Sequence, residues 1–328
     1  MAEFMGKDGF VWWQGVVEDR YDPLYLGRCR IRILGWHTED KTDMPTESLP
    51  WAYPVQPITS AAQTGVGISP TGPVEGTWVI GFYRDGFSAQ EPVFFGTIGG
   101  IPGSAAETNK GFNDPNGVYP KEELLKEQDT NRLARGISAD TIMITKEDSA
   151  KEQEDLPTAN EAGDNEWSEP EIPFAAKYPH NHVYQSESGH IQEFDDTPDA
   201  ERIHTYHKSG TFEEIHPDGS KVIKVKGDDY ELLLGKKFIH IAGNANVLVS
   251  GENCTFYVKG DSDIQVDGNV KQVVGGNVVQ EVSGNVEMNT DGDFKVDAAN
   301  IEMKANGTIN IETPSSMTLK GSAGIDLN

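Results

Sequence analysis

The sequence predicts an all-β protein: an N-terminal antiparallel barrel, a linker, a β collar, and a C-terminal intertwined triple-stranded β-helix (a β-prism) in a homotrimer. Three observations carry this. Strand-like alternation fills the first hundred residues, an acidic stretch of different composition follows, and beyond it glycine recurs with a period of eight. A repeat of that kind decides the architecture of the segment that holds it.

The barrel is assigned to residues 1–100. In GRCRIRILG (27–35), Cys29, Ile31 and Ile33 share one side and Arg28, Arg30 and Arg32 the other, the period of two that a strand requires. GTWVIGFYRDG (76–86) is expected to repeat the pattern with Trp78, Ile80 and Phe82, and EPVFFGTIGG (91–100) adds a further apolar strand. Short strands punctuated by Gly and Pro, with no helical pattern between them, favour a small closed or nearly closed antiparallel barrel.

Residues 101–175 are read as an acidic linker with a short helix. The run at 147–171 holds ten acids and one lysine, a composition that solvates rather than packs. PKEELLKEQDTNRLARG predicts a helix from Pro120 to near Gly136, and ADTIMITK (139–146) a strand. Residues 176–220 return to alternation, with "SG" and "DG" turns between short strands, and form the collar.

The needle is assigned to 221–328. After Gly219, glycines stand at Gly227, Gly235, Gly243 and Gly251, then at Gly260, Gly268, Gly276, Gly284 and Gly292, with one extra residue between the two series. Two positions earlier lie Val225, Leu233, Ile241, Val249, Val258, Val266, Val274 and Val282; Thr290 is the departure. Past Gly292 the pattern loosens, with Asn300 where the next glycine would fall. Eight residues hold one strand of about five or six residues and a bend. Glycine suits that bend if φ is positive or another chain approaches closely. Two or three apolar residues per octad cannot enclose a core within one chain. Three chains winding together would bury the apolar line on a shared axis and leave few free edges. The eight apolar residues are then the trimer core, and the nine glycines from Gly227 to Gly292 are the corners of the prism. A single-chain β-solenoid is the alternative, but three faces per coil need about 18 residues or more.

The formal charge of −26, from 53 acids and 27 bases, argues against nucleic acid and anionic membrane surfaces as partners. Two cysteines, Cys29 and Cys254, make neither a disulfide framework nor a cysteine zinc site. The start MAEFMGKDGFVWW lacks a signal-peptide pattern, and no apolar run reaches membrane-spanning length.

The V-x-G octads resemble the needle of central spike proteins in contractile phage tails and of type VI secretion spikes. GFVWWQGVVEDRYDPLYLGRCRIRILGWH, MPTESLPWAYPV and GTWVIGFYRDG are similar to the oligonucleotide-binding (OB) type barrel of the T-even baseplate hub. GFNDPNGVYP, DTNRLARG and SGHIQEFDDTPDAERIHTYHKSGTFEEIHPDGS match that family's connecting and collar region. The resemblance covers nearly the whole chain. It implies a homotrimeric cell-puncturing spike in the virion tail baseplate, made in the host cytoplasm and driven through the outer membrane by sheath contraction. Its implied partners are baseplate hub and tail-tube proteins at the barrel, a small tip-capping protein at the C-terminal end and, transiently, the host outer membrane. No catalytic residue, cofactor or metal is expected. T-even spikes carry a lysozyme domain between barrel and needle. Residues 101–175 are too few for one, so that role is not carried over. Some spikes end in H-x-H around an axial iron; here no histidine follows His240. A trimeric fibre-like receptor-binding protein and a spike-associated peptidoglycan hydrolase are the competing functions.

Other patterns have plainer readings. The triplet HNH at 180–182 is weak evidence for a nuclease. His190, His204, His207 and His216 could gather a metal, but are read as structural. Asp195-Asp196 and Glu213-Glu214 could mimic a glycosidase pair, yet neighbours on a strand face opposite ways, and they are expected to decorate the surface. Trp12, Trp13, Trp36, Trp51 and Trp78 are read as barrel core and trimer interface rather than a stacking platform. Cys254 is expected as a small core filler.

Overall fold

Five N-terminal strands close on themselves in the computed structural model, which describes residues 10–64, 66–100, 103–118, 129–134, 170–249, 251 and 253–321. The extreme N-terminus, the expected strand at 139–146, the start of the expected helix, nearly all of the acidic run and the last seven residues lie outside the described residues. The chain divides into two units, Met1–Cys254 and Thr255–Asn328.

The barrel strands are β1 (Val11–Asp19), β2 (Cys29–Ile33), β3 (Trp51–Pro54), β4 (Trp78–Tyr83) and β5 (Pro92–Thr97), in the closed order β1-β2-β3-β5-β4. Only the β3–β5 pairing is parallel. Trp13, Val17, Cys29, Ile31, Ile33, Ala52, Val79, Tyr83 and Phe94 fill the interior. The expected face of β2 is therefore the inner one. For β4 the expectation is corrected: Val79 and Tyr83 point inward, while Trp78 is exposed and Ile80 and Phe82 are half-buried. Between the two inward residues sits Gly81, where a Cβ would lie 2.4 Å from the Trp13 ring. The indole occupies the volume that a side chain on β4 would otherwise fill.

The opposite side of β2 does not face water throughout. Arg32 is fully buried, with Nε 2.7 Å from Glu18 Oε1 and its terminal nitrogens donating to the carbonyls of Thr38 and Met44. Glu18 in turn accepts from the Thr46 hydroxyl and the Phe112 amide. Residues 103–118 thus strap the barrel. Gly111 permits this, because a Cβ there would stand 2.3 Å from Arg32 Cδ.

The collar is a five-stranded antiparallel meander of β6 (Asn181–Gln185), β7 (Ile191–Asp195), β8 (Arg202–Tyr206), β9 (Phe212–Ile215) and β10 (Lys221–Lys224). Its hairpins β6–β7, β8–β9 and β9–β10 turn through Gly189, Gly210 and Gly219, all at positive φ, as three-residue hairpin loops demand. One face is closed by Leu133 of the short helix α1 (Asp129–Ala134) and by Ile172 and Phe174, packed around Ile191, Tyr206 and Phe212.

Beyond β10 the first unit continues as extended chain that bends at Gly227, Gly235, Gly243 and Gly251. In the second unit the bends fall at Gly260, Gly268, Gly276, Gly284 and Gly292, and then near Ala299, Gly307 and Ser315. The eight-residue rhythm therefore outlasts the glycine pattern, with a single one-residue slip after Gly292.

Candidate assembly surface

The apolar line of the octads is exposed. From Val225 to Gly321 no described residue is buried, and among the described residues no main-chain hydrogen bond joins two backbone groups beyond β10. Several of the eight expected core residues are nevertheless less exposed than their neighbours, although at Val249 (55%) the neighbouring Leu248 (38%) is the less exposed. Val274 is 45% exposed and Val273 82%; Val258 is 41% exposed and Tyr257 83%.

The octad glycines are not explained by their own chain. None of the nine from Gly227 to Gly292 has a positive φ, and a Cβ at any of them meets nothing within 4 Å. Positive φ, one of the two physical reasons for glycine at a bend, is absent here. Cys254, expected as a core filler, is exposed within the single chain, having the same parity as Val258.

The collar holds most of the other candidate residues. Arg202 bridges Glu214 (2.7 Å) and Glu193 (2.8 Å), and Nδ1 of the fully buried His204 lies 2.7 Å from Glu214. His216 reaches the other Glu214 oxygen at 3.2 Å. The paired carboxylates do face opposite ways, but Glu214 and Asp195 are buried and only Glu213 and Asp196 lie on the surface. The expectation that both pairs decorate the surface is corrected for one member of each. Burial of Glu214 is tolerated because the Arg202 guanidinium compensates its charge, while Asp195 accepts the Thr197 amide. A parity count could have found it: Glu193, Asp195, Arg202, His204 and Glu214 all fall on the strand face that also carries Ile191, Tyr206 and Phe212. His190 and His207 pack against each other apart from this network, ring centroids 4.4 Å apart and tilted by 41°. Among the described residues no three His, Cys, Asp or Glu form a metal-holding group. In the HNH triplet, Asn181 donates to Glu193 and to the Leu133 carbonyl, while His182 points to the other face.

The tryptophans divide. Trp13 is core, Trp51 lies between the guanidinium groups of Arg28 and Arg30, and Trp12, Trp36 and Trp78 are exposed. Trp12 joins Phe10, Phe82 and Phe95 in an aromatic cluster on the outside of β1, β4 and β5, with centroids 4.9–6.3 Å apart. The sequence reading missed the three phenylalanines, which the misphased β4 had placed inside or left unassigned. Arg28, Arg30 and Arg84, beside Trp51 and Tyr53, each hold an acid (Asp22, Asp19 and Glu91), so this side offers no bare cationic stripe. No helix among the described residues is long and apolar enough to cross a membrane.

Residues 35–173 match the family model described as the Gp5 N-terminal OB domain. The chain is 45% identical over 292 residues to Protein Gp5 of Vibrio phage KVP40, covering 80% of this chain and 68% of that protein. It is 42% identical over 157 residues to the pre-baseplate central spike protein Gp5 of Enterobacteria phage T4, covering 44% of this chain and 27% of that protein.

Proposed function

The chain belongs to the Gp5 family of phage tail-baseplate central spike proteins, and from that premise we propose that three copies intertwine through the octads into a needle that pierces the host outer membrane when the sheath contracts. It is a structural component of the virion tail baseplate. The carrying observation is the octad ribbon itself: it bends about every eight residues, yet within its own chain it buries no described residue and, among the described residues, pairs no backbone group with another backbone group. Main-chain groups in extended conformation are satisfied by a ladder or by water, and regular bending without either kind of intrachain support fits a ladder completed by other chains.

On this reading Val225, Leu233, Ile241, Val249, Val258, Val266, Val274 and Val282 form the axial core and the nine glycines are the corners. The barrel at 1–100 meets hub and tail-tube proteins, 101–175 connects it to the collar at 176–220, and a small capping protein completes the tip beyond 221–328. The work is mechanical: strands hydrogen-bonded among three chains cannot peel away singly, and the reading assigns no residue a catalytic role.

Light scattering on the native protein tests it. Three times the 35.9 kDa chain mass is the expected result. A clean monomer would sink the intertwined needle and revive a single-chain solenoid.

A further inference from the structure

Barrel and collar each close a core of their own, one around Trp13 and Ile31, the other around Leu133, Ile191, Tyr206 and Phe212. Among the described residues, the hydrogen bonds that cross from one to the other are two, both from the Arg20 guanidinium to the Glu187 carboxylate and both 2.8 Å long. The pair is partly in water, with side-chain exposures of 26% for Arg20 and 49% for Glu187. Exposed pairs of this kind are weak and are screened by salt. Residues 119–128 lead from the barrel's strap to α1, and ten residues can span up to about 33 Å when extended. The covalent connection therefore does not by itself hold the two bodies in register.

We propose that Arg20 and Glu187 form a releasable latch at a hinge between barrel and collar, and that Glu75 keeps the guanidinium when the latch is open. Two observations make the contact releasable. First, neither partner is stranded when they part. Arg20 Nε lies 3.3 Å from Glu75, which is buried in the barrel, so the cation retains an acid on its own side. Glu187 returns to water. Second, the turn that carries Glu187 holds its shape without the barrel. The Ser186 amide donates to the His190 carbonyl at 2.9 Å and the Gly189 amide to the Ser186 carbonyl at 3.0 Å, while the His190 amide donates to the Ser186 hydroxyl at 3.1 Å. The latch therefore aligns barrel and collar at rest and lets them turn against each other under load, before either core is disturbed. The inference does not depend on how the octads are closed.

The test uses the full-length protein with Arg20→Lys, which keeps a cation beside Glu75 and offers Glu187 an amine. A water-soluble carbodiimide joins amine and carboxylate while they are in contact, and peptide mass identifies the product. Lys221 and Glu213, 2.7 Å apart on strands paired by their own ladder, are the reference that cancels any effect of salt on the reagent. The cross-link from position 20 to Glu187, relative to that reference, should fall at least about fivefold between about 20 mM and about 1 M salt. A constant ratio would mean a rigid junction and overturn the hinge. No cross-link at low salt, or one found only in a two-chain product, would overturn the latch. Glu187→Lys supplies a second measurement in an exposed turn where folding is not at stake. At low salt, X-ray scattering should give this variant the larger radius of gyration that the parent reaches only at high salt, and equal radii at low salt would overturn the proposal as well.

Discussion

Arg20, just past β1 of the barrel, sets both terminal nitrogens on the carboxylate of Glu187 in the β6–β7 turn, each at 2.8 Å, across 167 residues of sequence. The same guanidinium lies 3.3 Å from Glu75, which is buried. Its acidic partners, with the Glu187 hydrogen bonds foremost, raise the Arg20 pKa. Barrel and collar are thus joined by one side chain answering two acids in different environments. The acids should respond unequally. Glu187→Gln removes an exposed contact and should cost less than about 1 kcal/mol. Arg20→Gln also strands Glu75 and should cost about 1–3 kcal/mol. Denaturant unfolding of the two variants checks the order, and equal losses would mean that Glu75 does not depend on Arg20.

Arg32 gives a steeper prediction. Arg32→Met leaves Glu18 buried without its cation and should destabilise the barrel by about 3–5 kcal/mol. Gly111→Ala forces a Cβ against the same guanidinium and should cost about 1–3 kcal/mol. Combining the two should cost less than their sum, since the shortened side chain frees the space that the alanine needs. Urea unfolding of the single and double variants measures this; strict additivity would mean that residues 103–118 do not sit on Arg32 in solution.

Acid sensitivity follows from two groups on the barrel. The His37 imidazole accepts the Ile33 amide at 2.9 Å through Nδ1, and burial, followed by the nearby Arg32 charge, lowers its pKa. The unfolded chain then binds the proton more readily than the folded one, so this contribution is complete above about pH 6.5 and is lost as pH falls through the folded value. Asp22 is held well below the usual carboxylate range, chiefly by the Arg28 hydrogen bonds. Its contribution is present above about pH 4 and is lost at lower pH. Thermal melts should therefore fall in two stages, and His37→Asn, which keeps an acceptor, should flatten the one that begins below about pH 6.5. An unchanged slope in that variant would place the titrating group elsewhere.

How much of this could be read from the sequence depends on what covers each face. Cys29, Ile31 and Ile33 were assigned correctly because their alternates are arginines, leaving one parity apolar. In β4 both parities are apolar, and only the Trp13 indole above Gly81 decides that Val79 and Tyr83 go in. The collar misled in the opposite sense. Glu214 looked like a surface residue because the guanidinium that permits its burial, Arg202, comes from another strand. The octad bends were legible as far as Gly292, since glycine spacing is a local property; the later bends near Ala299, Gly307 and Ser315 keep the rhythm without the glycine register that would reveal it.

The octad glycines separate the one-chain and three-chain readings most directly. In an isolated chain, Gly268→Ala and Gly284→Ala would be neutral or stabilising by about 0.4–1 kcal/mol, because φ is compatible with alanine and the space is open. If neighbouring backbones approach at those corners, each methyl group must be accommodated in a packed contact, at about 1–3 kcal/mol per site in each copy. The two readings thus differ in sign, which makes the measurement robust to uncertain magnitudes. We expect the double variant to melt lower than the parent and to lose trimer mass on dilution before the parent does, followed by light scattering. A melt that stays level or rises would show that nothing approaches these corners, and the glycines would then need an explanation from within one chain.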